Sequence, residues 1–134
     1  MIKRELFRFL IVGSLTVVVD FVTYRGLLWF EVLNVDTAKG MGFVVGTVFA
    51  YFANRLWTFG GQPHAPGSAG RFVVLYAITL GANILVNAIL LNQLADYAYA
   101  ITGAFLFATA ISAALNFLGM KFFVFKLPTS SEMA

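Results

Sequence analysis

One stretch limits what this chain can become. Residues Phe9–Trp29 read FLIVGSLTVVVDFVTYRGLLW, an apolar run of membrane-crossing length that nonetheless holds Asp20 and Arg25. A hydrocarbon core about 30 Å thick takes roughly 20 helical residues. At about 1.5 Å per residue, Asp20 falls roughly 18 Å beyond Arg8, near mid-membrane. An ionisable side chain at that depth costs about 2.5–3.5 kcal/mol on insertion scales, so it needs a protein partner or a wet cavity. The rest of the chain must supply one.

Composition agrees with this. Of 134 residues, 60% are hydrophobic and 11% charged, where a soluble domain carries about 25% charged residues. The sequence therefore predicts an all-α polytopic membrane protein, a single membrane domain over residues 1–134 with four spans at about 7–29, 38–57, 71–94 and 97–123. The first apolar run lacks a small-residue cleavage site and reads as an uncleaved span behind a short basic lead. Gly60–Gly70, GGQPHAPGSAG, reads as a flexible loop barred from regular structure by Pro63 and Pro66. Residues 128–134 read as a polar, disordered tail.

Charge sets the expected orientation. Lys3, Arg4, Arg8, Arg55, Arg71, Lys121 and Lys126 lie at the ends that four crossings place with the N-terminus, while Lys39 alone lies at the opposite ends. Positive residues collect on the cytoplasmic side, so both termini and the loop 60–70 are expected there.

The chain also repeats. At an offset of 63, Arg8–Phe9 overlies Arg71–Phe72 and Asp20 overlies Asn83; at 66, NRLWTF (Asn54–Phe59) overlies MKFFVF (Met120–Phe125). Each half is a two-helix hairpin, with a stripe Gly13, Thr16, Asp20, Tyr24 in the first and Tyr76, Thr79, Asn83, Asn87 in the second. Steps of three or four residues put each stripe on one helix face. Tandem hairpins imply a quasi-twofold along the membrane normal, an arrangement transporters use with the site between repeats. On the second span, Gly42, Gly46, Ala50 and Asn54 recur every four residues, a small-residue stripe that lets another helix approach closely.

Two groups of candidate residues follow. Asp20, Tyr24, Asn83, Asn87 and Asn116 form a polar centre for a hydroxylated ligand, since hydrocarbon offers them no partners. Asp20 could bind a proton, accept hydrogen bonds from sugar hydroxyls, or pair structurally with Arg25 or an asparagine. Arg8, Asn54, Arg55, Arg71 and Lys121 at the cytoplasmic ends, with Arg25 in the outer half, are candidates for a phosphate or lipid headgroup. A glycine-loop lysine, a metal-ligand spacing and a nucleophile–base pair are all absent from the sequence, so no catalysis, metal or cofactor is expected. The net charge of +3 is too small and dispersed for nucleic acid.

The segments RFLIVGSLTVVVDF, FAYFANRLWTF, RFVVLYAITLGANILVNAILL and NFLGMKFFVF resemble the GtrA family of four-span membrane proteins, over roughly Phe7–Phe125. N-R-x-W-T-F is the sharpest of these motifs, and the last repeat departs from it with Met120 where Asn54 stands. The resemblance implies a multi-pass protein of the cytoplasmic (inner) membrane that moves a polyprenyl-phosphate-linked monosaccharide, such as undecaprenyl-phosphate-glucose, to the outer leaflet for cell-surface polysaccharide synthesis. The expected partners are that lipid, the membrane lipids, a membrane glycosyltransferase and a second copy of the chain. Two other readings stand beside it. One is a non-transporting subunit that anchors or regulates a glycosyltransferase. The other is a small multidrug-resistance-like exporter with Asp20 as proton site, against which the seven-to-one charge bias argues.

Overall fold

The computed structural model describes residues 2–133, and every regular element among them is helical. In chain order these are α1 (Ile2–Trp29), α2 (Val35–Ala53), a π-turn (Asn54–Thr58), α3 (Ser68–Gln93), α4 (Ala100–Gly119), a second π-turn (Met120–Val124) and α5 (Ser130–Met133). Met1 and Ala134, at the ends of the expected domain and tail, lie outside the described residues.

Local chemistry fixes the helix ends. Glu31 takes a left-handed backbone (φ 54°) after α1. Its N–H reaches Leu28 O and that of Val32 reaches Leu27 O, both at 3.1 Å. This is the bonding of a Schellman cap, formed here without glycine. Asn34 then caps α2, its Oδ1 accepting from Thr37 N at 2.8 Å. The basic lead is no separate segment, because α1 continues through it to Ile2. Tyr97–Tyr99, expected inside the last span, instead belong to the turn before α4, where Tyr97 N donates to Leu94 O and Ala100 N to Tyr97 O.

The tail also differs from expectation. Thr129 N donates to Glu132 Oε2 at 2.7 Å, the reciprocal half of a capping box, and Ser130–Met133 is helical. Spacing of apolar residues carried no sign of this turn; T-x-x-E did.

Among the described residues, α1, α3 and α4 with its π-turn are each long and apolar enough to cross a membrane. Their apolar windows are only 11%, 11% and 17% buried. Phe7, Leu10, Val17, Val18, Phe21 and Val22 on α1 all stand exposed. Such surface is unfavourable in water and suits lipid. The chain is a membrane protein with several apolar helices. The fourth helix, α2, is not one of these three; Asp36, Lys39 and three glycines lie among its 19 residues.

The chain divides into two compact units, with the boundary in the chain between Pro63 and His64. In the first, Phe9 and Val12 of α1 are buried with Ala38, Gly42, Gly46 and Ala50 of α2, then Asn54, Thr58 and Phe59. In the second, Phe72, Leu75 and Thr79 are buried with Ala104, Ala108, Met120, Val124 and Phe125. The offsets 63 and 66 map most of one set onto the other.

Candidate functional site

Small residues on α2 bring α1 close enough to set Asp20 in place. A Cβ added to Gly42 would lie 2.7 Å from Asp20 O and 2.7 Å from Asp20 Oδ1; one on Gly46 would lie 3.2 Å from Asp20 Cβ. The carboxylate therefore sits directly over the glycine stripe. Beside it opens a shallow groove of about 390 Å³ lined by Val17, Asp20, Phe21, Tyr24, Lys39 and Phe43. Asp20 and Tyr24 are half-buried and Lys39 is exposed. The groove thus combines an acid, a phenol and an ammonium with aromatic walls. Among the described residues no hydrogen bond or ion pair joins Asp20 to Arg25. Arg25 lines a different groove, with Phe21, Val22, Gly26, Leu28 and Trp29.

Each hairpin closes with a π-turn, marked by Phe59 N donating to Asn54 O at 2.9 Å and Phe125 N to Met120 O at 2.8 Å. A wider turn leaves its last carbonyls unpaired, and an arginine from the hairpin's first helix takes them. Arg8 donates to Trp57 O at 2.9 Å and lies 5.4 Å from the Trp57 ring centre. Arg71, its repeat partner, donates from Nε to Phe123 O at 2.7 Å and from Nη2 to Val124 O at 2.8 Å. It also reaches Pro66 O and Ala65 O. Trp57 and Phe123 are themselves matched at the offset of 66. The headgroup candidates Arg8 and Arg71 are thus engaged in shaping the hairpin ends, Arg71 with most of its donors.

Arg71 also corrects the reading of Gly60–Gly70 as flexible. Its bonds to Ala65 and Pro66, with Ala65 N donating to Lys126 O at 2.8 Å, tie that loop to the chain end of the second unit. His64 lies against the Phe125 ring at 5.1 Å.

Asn54, another headgroup candidate, is buried. Its Nδ2 donates to Ala50 O and its Oδ1 accepts from Thr58 Oγ1 at 2.8 Å, so both polar atoms serve the π-turn internally. Met120 is buried at the matched place with no such bonds available, so the asparagine side chain is not what makes the turn. Arg55 keeps an exposed guanidinium, with Nη1 3.3 Å from Tyr51 Oη. Lys121 lies 5.7 Å from the Phe122 ring centre. These two residues hold the matched second positions of the π-turns.

In the second unit, Thr79 Oγ1 donates to Asn116 Oδ1 at 2.9 Å, and Ser112 Oγ reaches Thr79 O at 3.5 Å. Asn83 and Asn87 stand half-buried further along α3. The expected polar centre is therefore described in two sets, Asp20 with Tyr24 and Asn116 with Thr79. Lys39, which lines the Asp20 groove, was not among the candidate residues read from the sequence. Its signal was present, since it is the one cation that breaks the charge bias.

A family model for the GtrA/DPMS transmembrane domain matches residues 8–125. The chain belongs to that family. The match begins at Arg8 and ends at Phe125, so it spans both hairpins with the two arginines and both π-turns. Membership supports a membrane protein of polyprenyl-linked sugar processes. No solved structure matches the chain.

Proposed function

We propose that this protein moves a polyprenyl-phosphate-linked monosaccharide from the cytoplasmic to the outer leaflet of the cytoplasmic membrane, without catalysing a reaction of its own. In this reading the chain crosses four times with both termini inside, and it works beside a glycosyltransferase that makes or uses the lipid. The observation that carries it is the Asp20 groove: a carboxylate held over Gly42 and Gly46, open beside Tyr24, within a helix of membrane-crossing length. A carboxylate kept at that depth, with no hydrogen bond from any described residue, is costly unless it meets a ligand or water. A sugar's hydroxyls are suitable donors, and hydrogen bonds to a charged acceptor are roughly twice as strong as neutral ones. Arg55 in the first hairpin, and Lys121 at the matched place of the second, each offer a cation to a phosphate at the π-turn end of their own hairpin.

The test is the rate of lipid-linked sugar transfer in vesicles for Asp20→Asn against wild type at matched protein amount. The variant removes a costly charge while keeping shape and one acceptor, so it should insert normally and transfer more slowly. Equal rates would remove Asp20 from translocation and leave it as packing between α1 and α2. Absence of transfer by the wild type alone would favour the anchoring subunit.

A further inference from the structure

Lys39 is the charged residue of the Asp20 groove that the reading above leaves without a task. Topology does not explain it, because a lysine at the end opposite Arg8 and Arg55 works against the charge bias. Packing does not explain it either, since it is exposed on α2 one turn before Phe43. It shares its groove with one acid, one phenol and two aromatic rings.

We propose that Lys39 is the phosphate-holding residue of a second station at this end of the first hairpin, where Asp20 and Tyr24 take the sugar hydroxyls of the same lipid. The proposal rests on the lipid-linked sugar reading and adds to it the residue that binds the phosphate away from the Arg55–Lys121 end. Charge gives the groove its selectivity. Among the described residues no ion pair joins Asp20 to Lys39, so a neutral ligand leaves the ammonium unmatched. A bare phosphate satisfies Lys39 but is repelled by Asp20. A phosphate ester carrying hydroxyls satisfies both, and Phe21 and Phe43 offer apolar faces to the sugar ring. Val17, Phe21 and Phe43 are all exposed apolar residues beside the polar trio, which suits a headgroup on a prenyl tail more than a soluble sugar phosphate.

The experiment titrates the full-length protein in detergent with four probes: a prenyl monophosphate, the same chain as its alcohol, the prenyl phosphate bearing a hexose, and free hexose 1-phosphate. Lys39→Gln should weaken both phosphate lipids by about tenfold and leave the alcohol unchanged, the loss expected for one charge-assisted hydrogen bond. Lys39→Arg should restore most of that loss. Asp20→Asn should bind the bare phosphate more tightly and the hexose-bearing lipid less tightly. Equal weakening of all probes by Lys39→Gln, or none, overturns the assignment. Displacement of the lipid by hexose 1-phosphate at equal concentration overturns the lipid as occupant. Vesicle transfer run alongside separates the two claims. A wild type that binds in the expected pattern without transferring refutes translocation and leaves Lys39 assigned. A wild type that transfers, with Lys39→Gln binding every probe normally, refutes the assignment and leaves translocation standing.

Discussion

A Cβ at Gly42 would stand 2.7 Å from the backbone oxygen of Asp20 as well as from its carboxylate. A side chain can swing away, but a helix backbone cannot do so alone. Gly42→Ala should therefore separate α1 from α2 locally and cost about 1–3 kcal/mol, the usual range for overpacking. Gly40→Ala is the control, since nothing lies within 4 Å of its added carbon. Helix propensity should make that change neutral or stabilising by up to about 1 kcal/mol. Thermal unfolding of both variants in detergent checks the pair, and similar midpoints would mean that the glycine stripe is not a tight contact. The stripe itself was legible, because a spacing of four marks one face. What faces it was not. Spacing orders residues around a helix and says nothing of the neighbour's rotation, so Arg25 and the asparagines were candidates for Asp20 while Lys39 was overlooked.

Helix ends carry more of this fold than the apolar pattern reveals. Arg71 binds carbonyls of Phe123, Val124, Ala65 and Pro66, whereas Arg8 binds one, that of Trp57. Each carbonyl left unpaired away from water costs about 1–3 kcal/mol. Arg71→Ala should therefore destabilise by several-fold more than Arg8→Ala, about 3 kcal/mol against about 1 kcal/mol after relaxation. Arg71→Lys should recover only part, lacking the planar fork. The sequence paired these arginines correctly by repeat but assigned both to lipid, because no local pattern foretells a π-turn or its empty carbonyls. Glu31 gives the opposite test. It holds a left-handed conformation at the C-terminus of α1, so Glu31→Gly should raise stability by about 1 kcal/mol, read as a higher unfolding midpoint. At the chain end, hydrogen bonds from Thr129 hold the Glu132 carboxyl below its ordinary range. A lowered folded-state value means that stabilisation of α5 is present above the ordinary carboxylate range and is lost as pH falls through the folded value. The Thr129 amide should lose its protection from exchange over that acidic interval, and Glu132→Gln should flatten the dependence.

At the scale of the molecule, two hairpins repeat their burial, their π-turns and their arginine–carbonyl bonds; sliding the chain against itself reveals the repeat, but not the π-turns or those bonds. The count of crossings is the harder matter. Lys39, Asp36 and three glycines lie within α2, which is not among the three candidate spans, yet its stripe is what receives α1. In the proposed topology α2 carries the chain back to the side on which α1 began, in keeping with the bond from Arg8 near the start of α1 to Trp57 in the π-turn after α2. Backbone groups in that return path must all be paired internally, which the α-helix and π-turn provide. The proposed topology has four crossings, with the loop before Ser68 on the side of the N-terminus and the turn at Asp96 on the other. The chain contains no cysteine, so a single introduced thiol reports its own side. Gly61 has open space around its backbone and Asp96 is exposed, so both accept the change. In intact cells an impermeant maleimide should label Asp96→Cys and spare Gly61→Cys until the membrane is opened. The reverse pattern would invert the orientation, and labelling of both from outside would mean that one hairpin does not cross.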